Sequence, residues 1–287
     1  MAALIPETPS RKEGMNAEEE RKLRRKYVLF MQRAGILLEL PTTTICTAIV
    51  YFHHFFSQVS FSKADPPLVI QACLFLASKA EENSRRLRGI CTVVIHVVDI
   101  INCSHRLQFP TEAPLQVSVE YWSMKDALIK CEHQLLRILG FQMDYQHPHN
   151  FLLHFIRDLE VNEELASVAY YILNDSMCTT LCLQYKPHVV ACAAIHLASE
   201  VVSDRVSLEG EWWDKYDVHR MELEDICNQM LDVYDSSDVG AAFAPTGSVA
   251  AATPTTTTPK SAARQSVAVP PLQASDMPLA ANNKPKR

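Results

Sequence analysis

The sequence predicts an all-α protein built from two copies of one helical domain, and three observations carry that reading. First, an alanine-rich apolar segment occurs twice. It reads Ile70-Gln71-Ala72-Cys73-Leu74-Phe75-Leu76-Ala77-Ser78-Lys79-Ala80-Glu81-Glu82 and then Ala191-Cys192-Ala193-Ala194-Ile195-His196-Leu197-Ala198-Ser199-Glu200-Val201-Val202. The offset of 121 residues that carries Leu76 onto Leu197 also carries Pro66 onto Pro187 and Ala48 onto Ala169, so a whole domain has been copied once. Second, only seven glycines occur in 287 residues, which disfavours turn-dense β architectures and glycine-rich nucleotide loops. Third, apolar residues recur at helical spacing along most of the chain. A hydrophobic content of 48% is enough for two cores.

Taken in order, residues 1–20 are polar and read as a flexible lead. A charged run over 18–26 opens a helix whose Tyr27, Phe30, Met31, Ala34 and Leu38 mark one buried face, and Pro41 ends it. Thr42, Thr43 and Thr44 offer an N-cap for a helix over 45–57. Asp65-Pro66-Pro67 starts the third helix, because proline in the first turn needs no acceptor and already has a helical φ. That helix runs to about 82, and its Ala72 and Ala77 let neighbours approach closely, as a central helix requires. Residues 91–101, Cys-Thr-Val-Val-Ile-His-Val-Val-Asp-Ile-Ile, locally favour a strand. One strand among helices has no partner, so a buried helix is expected there. Residues 104–117 read as a loop with Pro110 and Pro114, followed by a long helix over 119–139 that Gly140 caps. His147-Pro148-His149 joins the halves, and the second half repeats the scheme with helices near 149–159, 163–178, 188–202 and 221–235. Trp212-Trp213 lies in the loop before the last of these. From 237 onward Ala, Thr, Pro and Ser dominate, the composition of a disordered tail. The expected organisation is a lead over 1–20, domains over 21–146 and 147–236, and a tail over 237–287.

Composition narrows the function. A net charge of −6 argues against a general polyanion binder. Nine cysteines, odd in number and scattered through apolar stretches, fit a reducing compartment. The polar start has no apolar core for secretion, and no stretch approaches the uninterrupted apolar length of a spanning helix. A nuclear protein, present in the cytoplasm as well, is the expectation. Catalytic motifs are missing: there is no Cys-x-x-Cys, no His-Glu-x-x-His, no phosphate loop and no nucleophile elbow. His53-His54 and His147-Pro148-His149 have no complementary ligands at metal spacing, and Cys178 and Cys182 lack a completing pair. No catalytic residue, metal or cofactor is expected.

Two charges stand out. Leu128, Leu135, Leu136 and Leu139 form an apolar stripe with Glu132 in its middle, and a carboxylate there must be paired or hydrogen-bonded. Lys79 shares a helix face with Ala72, Phe75 and Leu76. Each charge is anomalous alone, and each resolves the other if the two helices are neighbours. Two readings then stand. The pair is a structural salt bridge near a helix C-terminus, where lysine also suits the dipole, or a charged spot at the rim of an apolar surface held ready for a partner.

The stretch Leu76-Ala77-Ser78-Lys79-Ala80-Glu81-Glu82, followed by Glu132-His133 and by Phe141-Gln142-Met143, resembles the first box of a cyclin. The likeness covers about 24–236 and implies two tandem five-helix cyclin boxes. It also implies a partner, a cyclin-dependent kinase bound as a heterodimer, with Lys79, Glu82, Glu132, Phe141 and Met143 meeting it. Residues 121–126, 130–132 and 141–149 resemble the cyclin-Q (cyclin-M) type, which implies a kinase of the kinase-10 type. Residues 174–184, Trp212-Trp213 and 223–227 resemble the cyclin-K type. Both are transcription-type cyclins, related to the T and L types. A subunit of a kinase that phosphorylates RNA polymerase II is therefore the alternative. The β-branched run at 91–101 departs from the usual fourth helix, and the substrate-docking patch of cell-cycle cyclins has no match on the first helix. A second alternative is a cyclin-fold general transcription factor that binds nucleic acid. That family would lead with a cysteine-rich zinc ribbon, whereas residues 1–40 contain no cysteine. Arg21-Lys22-Leu23-Arg24-Arg25-Lys26 and Arg85-Arg86-Leu87-Arg88 are the dense basic clusters, read as solvated helix faces or part of a kinase contact, and no direct nucleic-acid or membrane contact is expected. Thr8-Pro9-Ser10-Arg11 has the proline-directed form that such kinases phosphorylate, as more loosely do Thr253-Pro254 and Thr258-Pro259; Thr8, Thr253 and Thr258 are candidate phosphorylation sites.

Overall fold

The computed structural model describes residues 7–85, 97–111, 115, 118–202 and 210–235, with backbone alone for 82–85 and 235. The described helices are α1 (Pro9–Lys12), α2 (Ala17–Leu37), α3 (Thr42–Gln58), α4 (Pro66–Arg85), α5 (Val97–Gln108), α6 (Val119–Ile138), α7 (Pro148–Asp158), α8 (Glu163–Ser176), α9 (Leu181–Gln184), α10 (Pro187–Val201) and α11 (Arg220–Asp235). A 3-10 turn at Trp212–Tyr216 precedes the last, and no strand occurs among the described residues.

Each half is organised around one alanine-rich helix. In the first half α4 packs against α2, α3, α5 and α6. Its Ala72 and Ala77 are fully buried, so the missing side-chain bulk is what lets four helices converge on it. Val28 and Met31 of α2, Ile49, Phe52 and Phe56 of α3, Leu74 of α4 and Leu135 of α6 fill the space between them. A Cβ on Gly35 would stand 2.5 Å from Ile45 Cγ1, so glycine sets how closely α2 approaches α3. In the second half α10 plays the same part, with α7, α8, α9, α11 and the 3-10 turn around it. The duplicated Leu-Ala-Ser sits at the same place in α4 and α10 even to its hydrogen bonding. Ser78 Oγ donates to Phe75 O at 2.8 Å, and Ser199 Oγ donates to His196 O at 2.6 Å.

Three expectations need correction. Residues 8–20 are not a loose lead. Thr8 N-caps α1, Pro9 follows in its first turn, and Asn16 with Glu19 forms a capping box at the start of α2. Thr8 and Ser10 are buried, and Glu20 is 2% exposed beneath them. Residues 104–108 are helical rather than loop. Ser104 is buried between Gln71 and Gln108, whose amides donate to its hydroxyl at 2.8 and 3.2 Å, which carries α5 one turn further. The helix α3 begins at Thr42 with Pro41 in the N-cap position, so no threonine hydroxyl caps it. The segments 91–96 and 237–287 lie outside the described residues.

Polar contacts join the two halves. His53 Nε2 donates to Met177 O at 3.0 Å, Arg21 pairs with Asp232 at 3.1 Å, and Arg25 Nη1 donates to Val233 O at 2.7 Å. Thr47 Oγ1 donates to Glu81 Oε1 at 2.8 Å and in turn accepts from His147 Nε2 at 2.7 Å.

Candidate functional site

The two anomalous charges of the first half meet. Packing of α4 on α6 brings Lys79 Nζ to 2.7 Å from Glu132 Oε1. Glu132 is 6% exposed, held in the stripe with Leu128 and Leu135, while the Lys79 side chain is 48% exposed. One turn back on α4, the Phe75 ring lies with its centroid 3.7 Å from the ammonium. An ammonium has three N–H donors, and Glu132 takes one of them. The cation is thus aimed by a carboxylate below and a ring beside it, with donor capacity left toward solvent. At this exposure the pair contributes about 1 kcal/mol or less to stability, so its orientation is the more informative property.

Beyond the end of α6 the chain presents an aromatic ring at a cost. Gly140 and then Phe141 take left-handed backbone conformations, φ 59° and 60°, closed by Phe141 N–H to Leu136 O at 3.1 Å. Glycine accepts that conformation freely, whereas a phenylalanine there is strained by about 1 kcal/mol. The Phe141 side chain is nevertheless 67% exposed. Leu136, one turn after Glu132 on the same face, is half-buried and borders the first core. Met143, which the resemblance implies as a further apolar contact, is less open than Phe141. It is half-buried against the first core, and its carbonyl accepts from Tyr51 Oη at 2.8 Å, which pins the chain leaving α6. Glu82 is in the last part of α4, with its side chain outside the described residues. The second half carries Glu200 at the position of Lys79, exposed at the end of α10.

The Arg21–Lys26 run is only partly a solvated face, with Arg21, Lys22 and Lys26 exposed and Arg24 buried. Arg24 is 3% exposed and donates to Glu20 Oε1 from Nε and Nη2, at 2.9 and 2.8 Å, and to Phe56 O at 2.9 Å. Arg21 and Arg25 are engaged with α11, as described above. Sequence reasoning missed Arg24, although it stands four residues before Val28 and seven before Met31, on the buried stripe itself. His53 is fully buried with Nδ1 3.3 Å from Arg24 Nη1. Burial first, then the Arg24 charge, lowers its pKa to about 3, so it is neutral, with Nδ1 accepting and Nε2 donating. Burial pushes Cys178 and Cys182 up to about 12, so both are thiols at neutral pH. Among the described residues no group of three or more His, Cys, Asp or Glu is placed to hold a metal ion, and no helix is long and apolar enough to cross a membrane. Of the candidate phosphorylation sites, Thr8 is buried with its hydroxyl on Glu20 Oε2 at 2.7 Å, while Thr253 and Thr258 lie outside the described residues.

Comparison with known proteins agrees with this architecture. Residues 5–144 match the model of the cyclin N-terminal domain, and residues 147–232 match the cyclin-T2-like C-terminal domain. The chain belongs to the cyclin family, with two cyclin-fold domains. Within it, the chain is 34% identical over 237 residues to Cyclin-T1-4 of Arabidopsis thaliana, covering 82% of this chain and 43% of the relative. It is 34% identical over 243 residues to Cyclin-L1 of Homo sapiens, covering 81% of this chain and 44% of the relative. It therefore spans less than half the length of these relatives. In fold it resembles a chain of the yeast RNA Pol II CTD kinase CTDK-1 complex, with a TM-score of 0.63 and 16% identity over 78% of this chain and 68% of that one. A chain of the yeast TFIIK (Kin28/Ccl1/Tfb3) complex gives a TM-score of 0.54 and 20% identity over 79% of this chain and 90% of that one.

Proposed function

We propose that this chain is the regulatory subunit of a transcription-type cyclin-dependent kinase, acting in the nucleus, and that the face built from Lys79, Glu132, Leu136 and Phe141 binds the kinase. The observation that carries the reading is a half-exposed ammonium fixed by Glu132 and Phe75 on the helix pair that ends in a strained, exposed phenylalanine. A phenylalanine held in the left-handed region with its ring exposed is a backbone outlier of the kind that points to a functional surface. Glu82 and Met143 belong to the same proposed surface, Met143 mainly by fixing the path of 141–143.

Binding would work by selection between kinase conformations. In the free kinase the helix that carries the ATP-site glutamate is turned away from its lysine partner. A cyclin face that fits the inward position binds that state more tightly and shifts the population toward it. No residue of this chain performs chemistry in that mechanism. The second half, with Glu200 where the lysine would be, supports and recruits. The T- and L-type relatives support a transcription-type kinase partner, and the fold shared with a chain of the RNA Pol II CTD kinase CTDK-1 complex favours one that acts on RNA polymerase II. The residues at 121–126 and 141–149 favour the cyclin-Q reading with a kinase of the kinase-10 type. The engaged arginines of α2 speak against the nucleic-acid alternative. The test is affinity capture from cells with this chain and its Lys79→Glu variant, read by mass spectrometry. A cyclin-dependent kinase retained by the first and lost from the second supports the proposal and names the partner. Core transcription machinery or nucleic acid without a kinase would overturn it.

A further inference from the structure

The N-terminal turn is a closed clasp with a modification motif at its centre. α1 is held at three points. Thr8 accepts from Arg11 N–H at the start of the turn while its own hydroxyl donates to Glu20 Oε2 at 2.7 Å. Ser10, 1% exposed, accepts from Phe61 N–H at 3.0 Å. Glu13 receives both the Lys63 ammonium and the Ser62 hydroxyl. Under the clasp lies a continuous polar chain. Arg11 Nε donates to Glu20 Oε2 at 3.1 Å, Arg24 holds Glu20 Oε1, and Arg24 leads on to His53 and so to Met177 of the second half. Burial opposes ionisation of Glu20 most strongly, yet the Thr8 hydrogen bond and the Arg24 and Arg11 charges hold its pKa below the ordinary value, so it is an anion at neutral pH.

A single phosphoryl group on Thr8 would therefore disrupt this arrangement at its centre. The hydroxyl hydrogen that points at a carboxylate oxygen would be replaced by a phosphorus with three oxygens, carrying about −1.5 to −2 charge. The Glu20 oxygen at 2.7 Å leaves no room for that group, and its charge has the same sign. Arg24 cannot turn to it without releasing Glu20 and Phe56 O. Arg11 remains as a counter-charge, but it sits on the turn that would be displaced.

We propose that Thr8 is a phosphorylation site for a proline-directed kinase, and that its phosphorylation releases α1 from α2. The hydroxyl is closed in, so modification requires the clasp to open first. A four-residue turn with Ser10 as its one buried residue opens at low cost compared with global unfolding. In the opened state Pro9 and Arg11 are presented together with Thr8. Thr8 Oγ1 bonds to the γ-phosphorus of ATP, the bond to ADP breaks, and the hydroxyl proton leaves to the kinase's base. The modified turn can then no longer close.

The experiment supplies a purified proline-directed cyclin-dependent kinase in trans, with ATP, to the full chain, and so does not depend on which kinase this chain itself binds. A synthetic peptide copying residues 4–15 reports whether the motif is recognised. Phosphate on Thr8 is read by mass spectrometry, and closure of the clasp by the rate of tryptic cleavage after Arg11 and Lys12. The peptide should be modified at least about tenfold faster than the chain. The Glu13→Ala variant, which loosens the clasp at its exposed end, should be modified about two- to threefold faster than wild type. Phosphorylated chain should be cut at least about tenfold faster at those two bonds. Three results would overturn the proposal: an unmodified peptide, a chain that stays unmodified even as Glu13→Ala, or a phosphorylated chain whose turn is still protected.

Discussion

Lys79 and Phe141 each occupy a position that trades stability for presentation, and the trade can be measured one residue at a time. Phe141 has φ of 60° with its ring 67% exposed, so it gives up backbone comfort without gaining burial. Phe141→Gly should raise stability by about 1 kcal/mol, a shift of about 2–4 °C in Tm for a domain pair of this size, while capture of the kinase falls. A thermal melt and a pull-down on the same preparation check both halves of that statement; a variant that melts lower would mean the ring packs more than its exposure shows. Lys79→Met removes the ammonium from the Phe75 ring and leaves Glu132, 6% exposed, with no counter-charge. It should cost about 1–3 kcal/mol in urea titration, and Lys79→Met combined with Glu132→Gln should cost less than Lys79→Met alone. The Lys79–Glu132 pair was legible in the sequence because a charge inside an apolar stripe is visible as a break in period. The conformation of Phe141 was not, because Gly140 marks the end of the helix without stating how many left-handed residues follow it. Nor was the half-buried state of Met143, which depends on a hydrogen bond from Tyr51, 92 residues away in the chain.

At the scale of elements, α2 is tied to α1 and α3 by an ion pair with almost no solvent contact, Glu20 at 2% and Arg24 at 3% exposure. Such a pair adds little over well-packed apolar residues, but breaking it from one side leaves a charge uncompensated. Arg24→Met should therefore cost about 3–5 kcal/mol, and the double variant Glu20→Leu with Arg24→Met should recover most of it. Equal losses in the single and double variants, read from denaturant midpoints, would mean the arginine acts through Phe56 O instead. The same elements show why residues 8–20 were misread. Their composition is polar, yet Thr8-Pro9 and Asn16-x-x-Glu19 are both helix-start signals, and Glu20 and Arg24 stand one turn apart on the face that continues through Val28. Polar residues buried as a network look, in sequence, like polar residues in water. The long amphipathic helices were read to within about three residues at their ends, since their apolar stripes are what packs. The one-turn extension of α5 was not, because Ser104 joins the helix through Gln71 of a neighbouring element.

For the whole molecule, the joint between the halves is built on two neutral histidines. His53 donates to Met177 O, and His147, 5% exposed, donates to Thr47 while its Nδ1 has no hydrogen-bond partner. Burial first, and then the neighbouring positive charge of Arg24 or the second histidine His149, lowers their pKa values, to about 3 for His53 and about 4 for His147. An unfolded chain binds a proton at each near pH 6.5, well before the folded one does. Stability from these groups is thus fully present above about pH 6.5 and is lost as pH falls toward their folded values, because over that window the unfolded state holds more protons. Each should remove about 2 kcal/mol by pH 5. Urea unfolding followed by circular dichroism between pH 7.5 and 5 should show the midpoint falling steeply. In His147→Gln, which keeps a donor for Thr47 but cannot titrate, the slope should be shallower by the share of one proton, whatever the variant's stability at neutral pH. Parallel slopes for variant and wild type would show that His147 is protonated, or solvated, in the folded state. A shallower slope across a single cooperative transition would place the titrating group in the joint that both halves share. The two cyclin folds would then lose their structure together because they hold one polar seam in common.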